Sequence, residues 1–190
     1  GTGILEGDRL HLNDAEPVLE DLAPARVGDI CVSMKHISTV FLYRPETNRI
    51  IWLKTGPWMN QHDVDILGQG RYSVFGNDWY KLQGRVVRAN RESGISEIYV
   101  YDPWTERVET PYTEALRKAD MYCEWGGLNR ILPNGDVFIE MTSEHRLLRV
   151  SPERVRWEFV NEVSEGKTGA LHWSRYYTEE EMSSIWKEII

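Results

Sequence analysis

The 190-residue chain has only two cysteines, Cys31 and Cys123, and no apolar run long enough to span a membrane. The cysteines lie far apart and have neither CxxC nor metal-ligand spacing. The sequence is therefore compatible with one disulfide or with two free thiols. Basic residues number 22 against 30 acidic ones, which gives a net charge of −8. Because phosphate contacts need a basic surface, a nucleic acid is not a predicted partner. A membrane is not a predicted partner either, since no apolar run is long enough to span it.

The sequence also lacks the common motifs that bind cofactors or activate a nucleophilic serine. There is no Walker loop, no GxGxxG and no GxSxG. The first residues, GTGILEGDRLHL, have neither the basic nor the apolar region of a signal peptide. No cofactor is therefore predicted.

Aromatic residues, by contrast, are abundant, with eight Trp, nine Tyr and four Phe. Trp and Tyr suit strands and interfaces better than helix interiors. Apolar residues alternate with polar ones, as at Val137, Ile139 and Met141, which is typical of a half-buried strand. The expected fold class is all-β.

Three segments of the chain follow one plan of four short strands. Each has a proline turn before its last strand, at Pro45, Pro103 and Pro152. Such a repeat is typical of a β-propeller blade, and three blades do not close a ring. The expected blades cover residues 4–56, 61–112 and 122–162, within a partial propeller over residues 1–176. We expect the missing blades to come from the rest of the chain, before Gly1, or from another subunit.

A helix is predicted over residues 177–190, after the last blade. Thr178 and Glu181 have the spacing of a capping box. The apolar residues of one helix face are Met182, Ile185, Trp186 and Ile189. We expect this helix to dock on the side of the sheets. Residues 113–121 are interpreted as a short helix or a loop.

Two of the five histidines, His11 and His62, stand at the start of the first strand of a predicted blade. First strands line the channel of a propeller, so the two side chains are expected to converge on one substrate. Together with Asp63 and Asp65 they also suit a Zn or Ca ion, although no short-range metal motif is present and no metal is predicted. The two aspartates lie on the same face of a strand. The alternative to metal binding is that they accept hydrogen bonds from backbone N–H groups.

Several sequence blocks, in order, resemble the arylsulfotransferase-like β-propeller family. They are HLNDAEPV, GDICVSMKHISTVFLY, GPWMNQHDVDIL, FGND, LPNGDVFI and VRWEFVN. The resemblance covers residues 10–176 and is to the C-terminal part of the catalytic propeller, which implies part of a six-bladed ring. Family members move a sulfuryl group between phenols, so an aryl sulfate and a phenol are the implied partners. The resemblance also implies a periplasmic or secreted location.

The resemblance implies that His62 and His11 are the catalytic pair, one attacking sulfur and the other protonating the leaving phenolate. The implied substrate-binding residues are Asn13, Lys35, His36, Asn77, Arg85 and Arg130. A further channel histidine of the family is missing from CEWGGLNRIL (123–132), where Asn129 or a neighbour takes its position. A non-catalytic binding or scaffold module is therefore the alternative interpretation.

Overall fold

The computed structural model describes residues 8–89 and 94–189, which are mostly β-structure. Three four-stranded antiparallel sheets follow one another along the chain, with a C-terminal helix after them. The all-β expectation and the C-terminal helix are confirmed. The beginning of the first expected blade and the last residue of the expected helix lie outside the described residues.

The first sheet contains strands hydrogen-bonded in chain order. They are β1 (Leu12–Pro17), β2 (Ile30–Met34), β3 (Thr39–Arg44) and β4 (Arg49–Thr55). The expected proline turn joins β3 to β4 at Pro45–Thr47, and it ends at Asn48 with a φ of 50°. Asn is one of the few residues that adopt this left-handed conformation readily, which is why the strand direction reverses here.

The second sheet is interrupted by an inserted hairpin. Its first two strands are β5 (Asp63–Leu67) and β6 (Arg71–Gly76), and the hairpin consists of β7 (Trp79–Leu82) and β8 (Arg85–Arg88). The sheet resumes with β9 (Glu97–Asp102) and β10 (Arg107–Glu109), in the spatial order β10-β9-β6-β5. A short helix, α1 (Thr113–Lys118), follows and buries Ala115 and Leu116, so residues 113–121 begin as a helix.

The third sheet again pairs its strands in chain order. They are β11 (Leu128–Ile131), β12 (Val137–Met141), β13 (Arg146–Val150) and β14 (Val155–Val160). A small hairpin, β15 (Glu162–Ser164) and β16 (Lys167–Thr168), precedes the helix α2 (Glu179–Ile189).

The predicted capping box begins α2. The Thr178 N–H donates to Oε2 of Glu181 at 2.7 Å, and the Glu181 N–H donates to Oγ1 of Thr178 at 3.2 Å. Within the described part of the chain, neither helix has the length and apolar character needed to cross a membrane.

The sheets stack face to face around two apolar cores. The core between the first and second sheets contains Cys31, Val40, Leu42, Trp58, Val64, Tyr72, Val74, Tyr99 and Tyr101. The core between the second and third sheets contains Phe75, Ile98, Leu116, Met121, Cys123, Val137, Ile139, Met141 and Leu148. Full burial of one such large side chain contributes about 1.5–3 kcal/mol to folding. The two cysteines are free thiols in different cores, so no disulfide joins them.

Carboxylates connect the first strands of neighbouring sheets. The bonds run from the Val64 N–H to Asp14 (2.9 Å), from the Ile66 N–H to Glu16 (2.8 Å) and from the Asn129 N–H to Asp63 (2.6 Å). Of the two aspartates with this alternative role, Asp63 accepts a backbone hydrogen bond, whereas Oδ2 of Asp65 has no hydrogen-bond partner among the described residues. The first strands β1, β5 and β11 lie side by side, whereas each described four-stranded sheet is hydrogen-bonded separately and no closed barrel forms among them.

Candidate functional site

His62 lies directly before β5, and its ring is held by Asn77. Nδ1 of His62 is 2.7 Å from Oδ1 of Asn77. The orientation of the amide is fixed because its nitrogen donates to the backbone oxygens of Cys123 (2.8 Å) and Gly126 (2.9 Å). An amide oxygen only accepts, so Nδ1 of His62 donates the proton. Nε2 is left with its lone pair.

Burial and a neighbouring cation keep His62 neutral. The pKa of His62 is lowered from 6.5 to about 4, first by burial and then by the charge of Lys35. Burial also lowers the pKa of Lys35. A neutral imidazole is suited to nucleophilic attack, and an adjacent ammonium group is suited to binding an anion.

His11 and His36 pack against each other, with ring centroids 4.6 Å apart and an angle of 34° between the planes. Both are held by one residue, Asp8. Nδ1 of His11 contacts the Asp8 carboxylate, and Nδ1 of His36 donates to the Asp8 backbone oxygen at 2.9 Å. His11 also contributes to the lowered pKa of His62, so these two histidines are electrostatic neighbours.

We refer to His11, Lys35, His36 and His62 as the histidine cluster. The structure brings these four predicted residues together, with Asn77 as the anchor of one ring. Sequence analysis missed Asp8, whose partners are 3 and 28 residues away in the chain. The short spacing from Asp8 to His11 was the one local signal for it.

Asn13 acts on the backbone beside the cluster. Its Nδ2 donates to the backbone oxygen of Gln61 at 2.6 Å, directly before His62. Its Oδ1 is buried without a hydrogen-bond partner among the described residues. Asn13 therefore positions the segment that carries His62.

The two predicted arginines lie elsewhere. Arg85 is exposed on β8, where it pairs in register with Leu82. The Arg130 guanidinium contacts the carboxylate of Glu181 and the backbone oxygen of Tyr176. Among the hydrogen bonds of residues 8–89 and 94–189, none joins either arginine to the histidine cluster. Arg130 instead contacts the segment that begins the C-terminal helix, and the substrate-binding role of both arginines stays a prediction.

Gly127 directly precedes β11, just as His11 directly precedes β1 and His62 directly precedes β5. Its φ is +110°, and a Cβ at this position would lie 2.5 Å from the ring of Phe75. Phe75 is fully buried, so a histidine does not fit here without disrupting the core. The further channel histidine that the family resemblance implies, with Asn129 or a neighbour in its position, stays a prediction.

A cavity of about 580 Å³ lies along the first strands of the three sheets, next to residues 173–176. Its charged lining residues are Asp14, Glu16, Asp63, Asp65, Arg130 and Arg175. Burial and neighbouring carboxylates raise the pKa of Glu16 to about 7 and that of Asp65 to about 8. The lining is therefore mostly acidic, and its charge changes near neutral pH.

The structure also bears on the possible metal ligands. Among the described His, Cys, Asp and Glu residues, one group of three has ligand atoms within 4.8 Å of one another, namely Asp8, His11 and His36. The set considered from the sequence, His11 with His62, Asp63 and Asp65, does not form such a group in the described chain. The acidic residues instead line the cavity and bond to neighbouring strands.

Comparison with known families gives one decisive match. Residues 6–162 match the family described as Arylsulfotransferase (ASST). The chain belongs to the arylsulfotransferase family. The matched range contains the histidine cluster, Asn77 and all three four-stranded sheets of this arylsulfotransferase-family chain. The resemblance stated from the sequence is confirmed, and no curated protein matches the chain.

Two solved structures resemble this arylsulfotransferase-family chain. One is a functionally unknown protein from Desulfotomaculum acetoxidans DSM 771, with 13% identity, a TM-score of 0.47 and coverage of 83% of this chain and 44% of that one. The other is a protein of unknown function from Bacteroides caccae, with 14% identity, a TM-score of 0.41 and coverage of 88% and 66%. The chain thus spans less than two thirds of the length of either protein.

Proposed function

We propose that this arylsulfotransferase-family chain transfers a sulfuryl group from an aryl sulfate to a phenolic acceptor, with His62 as the nucleophile. The observation that carries the proposal is the contact between His62 and Asn77. It leaves Nε2 of His62 with a free lone pair, and the pKa of about 4 keeps that nitrogen unprotonated at neutral pH. Membership of the family supports the same chemistry.

The first half-reaction forms a bond between Nε2 of His62 and the sulfur of the donor. The bond from sulfur to the aryl oxygen breaks, and its electron pair stays on the phenolate. His11 donates a proton to that oxygen, with its ring oriented by Asp8. Lys35 attracts the sulfate oxygens, since sulfuryl transfer, like phosphoryl transfer, depends on positioning and on stabilising charged oxygens.

The second half-reaction returns the enzyme to its starting state. The oxygen of the acceptor phenol attacks sulfur, the sulfur–nitrogen bond breaks, and the electron pair returns to Nε2 of His62. His11 accepts the proton that the acceptor loses. The donor phenol and the sulfated acceptor are the products, so no further reactant is needed.

We also propose that the three sheets are consecutive blades of a six-bladed propeller, whose other blades come from the rest of the chain or from another subunit. The side-by-side first strands support this arrangement. The first sheet supports it as well. Val40 and Leu42 on one face pack toward the second sheet, and Leu53 on the opposite face is 53% exposed, so that face is available to a preceding blade. The mass of the native polypeptide and its oligomeric state test this proposal.

The second candidate function is a non-catalytic module that binds a small ligand. Two observations favour it: a side chain at Gly127, the position directly before β11, would collide with the ring of Phe75, and the cavity along the first strands is lined mainly by carboxyl groups. Such a module would be stabilised by an aryl sulfate without consuming it.

The decisive experiment measures nitrophenolate release from 4-nitrophenyl sulfate after addition of a phenol, using the complete native assembly. We expect release by the wild-type protein and loss of release in His62→Gln. The matched control is His172→Gln, because His172 is an exposed histidine outside the cluster. Absence of release, alongside an active positive control, refutes catalysis. Thermal stabilisation by the intact donor under those conditions supports the binding module.

A further inference from the structure

We propose that Asp8, His11 and His36 form a binding site for a divalent transition-metal ion such as Zn²⁺. The inference goes beyond sulfuryl transfer and does not depend on it. The three residues come from two chain segments, one before β1 and one in the turn at Lys35–Ile37. One ligand atom from each lies within 4.8 Å of the others.

The donor set selects the class of ion. Two imidazole nitrogens and one carboxylate oxygen suit Zn²⁺ and its transition-metal neighbours. Ca²⁺ and Mg²⁺ prefer sites made of oxygen atoms only. Three protein ligands also leave a coordination position for water or an anion, so the ion would remain able to exchange ligands.

Hydrogen bonds hold the two segments together before any ion binds. The Lys35 N–H donates to the backbone oxygen of His11 at 3.0 Å, and the His36 N–H donates to that of Leu10 at 3.1 Å. His11 has a φ of 51°, in the left-handed region that is uncommon for residues other than glycine. The backbone of the site is therefore preorganised, and only side chains need to adjust.

The adjustment is small. With bonds of about 2.1 Å, neighbouring ligand atoms of a tetrahedral zinc site lie about 3.4 Å apart. Atoms already within 4.8 Å reach that spacing by side-chain rotation. Asp8 and His11 are 56% and 38% exposed at their side chains, so no core packing opposes the movement.

The ion would replace the proton that Nδ1 of His11 directs at the Asp8 carboxylate. Binding should therefore release protons and should weaken in acid, where imidazole is protonated. Because His11 is also the proposed proton donor for sulfuryl transfer, a bound ion would prevent it from acting in that role. The two functions can be tested separately, since metal binding is measured without any substrate.

The experiment titrates tag-free protein with Zn²⁺ by calorimetry and with Co²⁺ by visible absorption, with Mg²⁺ and Ca²⁺ as comparisons. We expect one Zn²⁺ per chain, a Co²⁺ spectrum with nitrogen ligation, and no saturable binding of Mg²⁺ or Ca²⁺. Asp8→Asn, His11→Gln and His36→Gln should each weaken Zn²⁺ binding at least tenfold. His172→Gln should bind Zn²⁺ like the wild type.

Circular dichroism and the thermal transition show whether each variant is folded. Asp8→Asn is the most conservative of the three, because it removes charge from an exposed side chain without changing its shape. Absence of saturable Zn²⁺ binding by the wild-type protein overturns the proposal. Unchanged Zn²⁺ affinity in any one of the three folded variants also overturns it.

Discussion

The side-chain amide of Asn77 joins the ring of His62 to the segment before the third sheet. Its oxygen is 2.7 Å from Nδ1 of His62, and its nitrogen is 2.8 Å and 2.9 Å from the backbone oxygens of Cys123 and Gly126. One fully buried residue thus sets the tautomer of the proposed nucleophile and connects two sheets.

Substitutions of Asn77 separate these two roles. Asn77→Ala should lower the free energy of unfolding by about 1–3 kcal/mol, since buried carbonyl groups lose their donor. It should also lower kcat for sulfuryl transfer at least about tenfold, because the tautomer of His62 is no longer fixed. Asn77→Asp keeps an acceptor for Nδ1 and should lose stability but retain more activity. Chemical denaturation and the nitrophenolate assay measure the two effects, and equal kcat values in both variants contradict the assignment.

The acidic cavity should make stability depend on pH. The pKa of Glu16 is raised to about 7 and that of Asp65 to about 8, so the folded chain retains protons that the unfolded chain loses at lower pH. Their contribution to stability is full at acidic pH and is lost as the pH rises through these values. The pKa of His62 is lowered from 6.5 to about 4, so below pH 6.5 the unfolded chain binds a proton that the folded chain does not. His62 therefore makes stability rise with pH up to about 6.5 and has no effect above it. We expect the free energy of unfolding to fall between pH 6.5 and pH 8.

Asp65→Asn tests this dependence, because Oδ2 of Asp65 is buried without a hydrogen-bond partner among the described residues. The variant should be more stable than the wild type at pH 8, by about 1–3 kcal/mol, and should have a flatter pH profile. Glu165→Gln removes an exposed carboxylate and is the control. Denaturation at a series of pH values provides the comparison. A profile for Asp65→Asn that parallels the wild type contradicts the prediction.

Glu181 belongs to the capping box of α2 and connects this helix to the third sheet through Arg130. The Arg130 guanidinium lowers the pKa of Glu181 to about 2. The side chains are 39% and 38% exposed, so the ion pair contributes only about 0–1 kcal/mol. Glu181→Gln should therefore speed amide exchange in α2 about two- to tenfold without a large change in global stability. Glu180→Gln, at the neighbouring position, should leave exchange unchanged, and equal exchange in both variants argues against docking through Arg130.

The two thiols should be unreactive in the folded chain. Cys31 and Cys123 are 0% exposed in separate cores, and burial raises the pKa of both. We expect no reaction with a thiol reagent under native conditions and two reacting thiols per chain in denaturant. A native reaction, or fewer than two thiols after unfolding without reductant, contradicts this arrangement.

Local patterns in the sequence predicted the elements whose structure depends on near neighbours. The alternation of Val137, Ile139 and Met141 indicated a strand, and these three side chains do point into one core. The capping box of Thr178 and Glu181 was equally predictable, because both of its hydrogen bonds span three residues.

Contacts between distant segments explain what the sequence did not reveal. Asp8 meets His36 only because the segment before β1 runs beside the turn after β2. Sequence analysis did not reveal the contact of Arg130 with Glu181, because the two residues are 51 positions apart in the chain. The close contact of Gly127 with the Phe75 ring was equally hidden, because the two residues are 52 positions apart in the chain.

The bonds from Asp14 and Glu16 to the N–H groups of Val64 and Ile66 have a consequence for solubility. β5 is the last strand of its sheet, and a row of free N–H groups on such a strand is a template on which another chain can add a strand. Here two of those donors are already occupied by carboxylates of the neighbouring sheet. Replacing Glu16 by an apolar residue would therefore expose β5 to intermolecular pairing, so aggregation would rise even where the sheets stay folded.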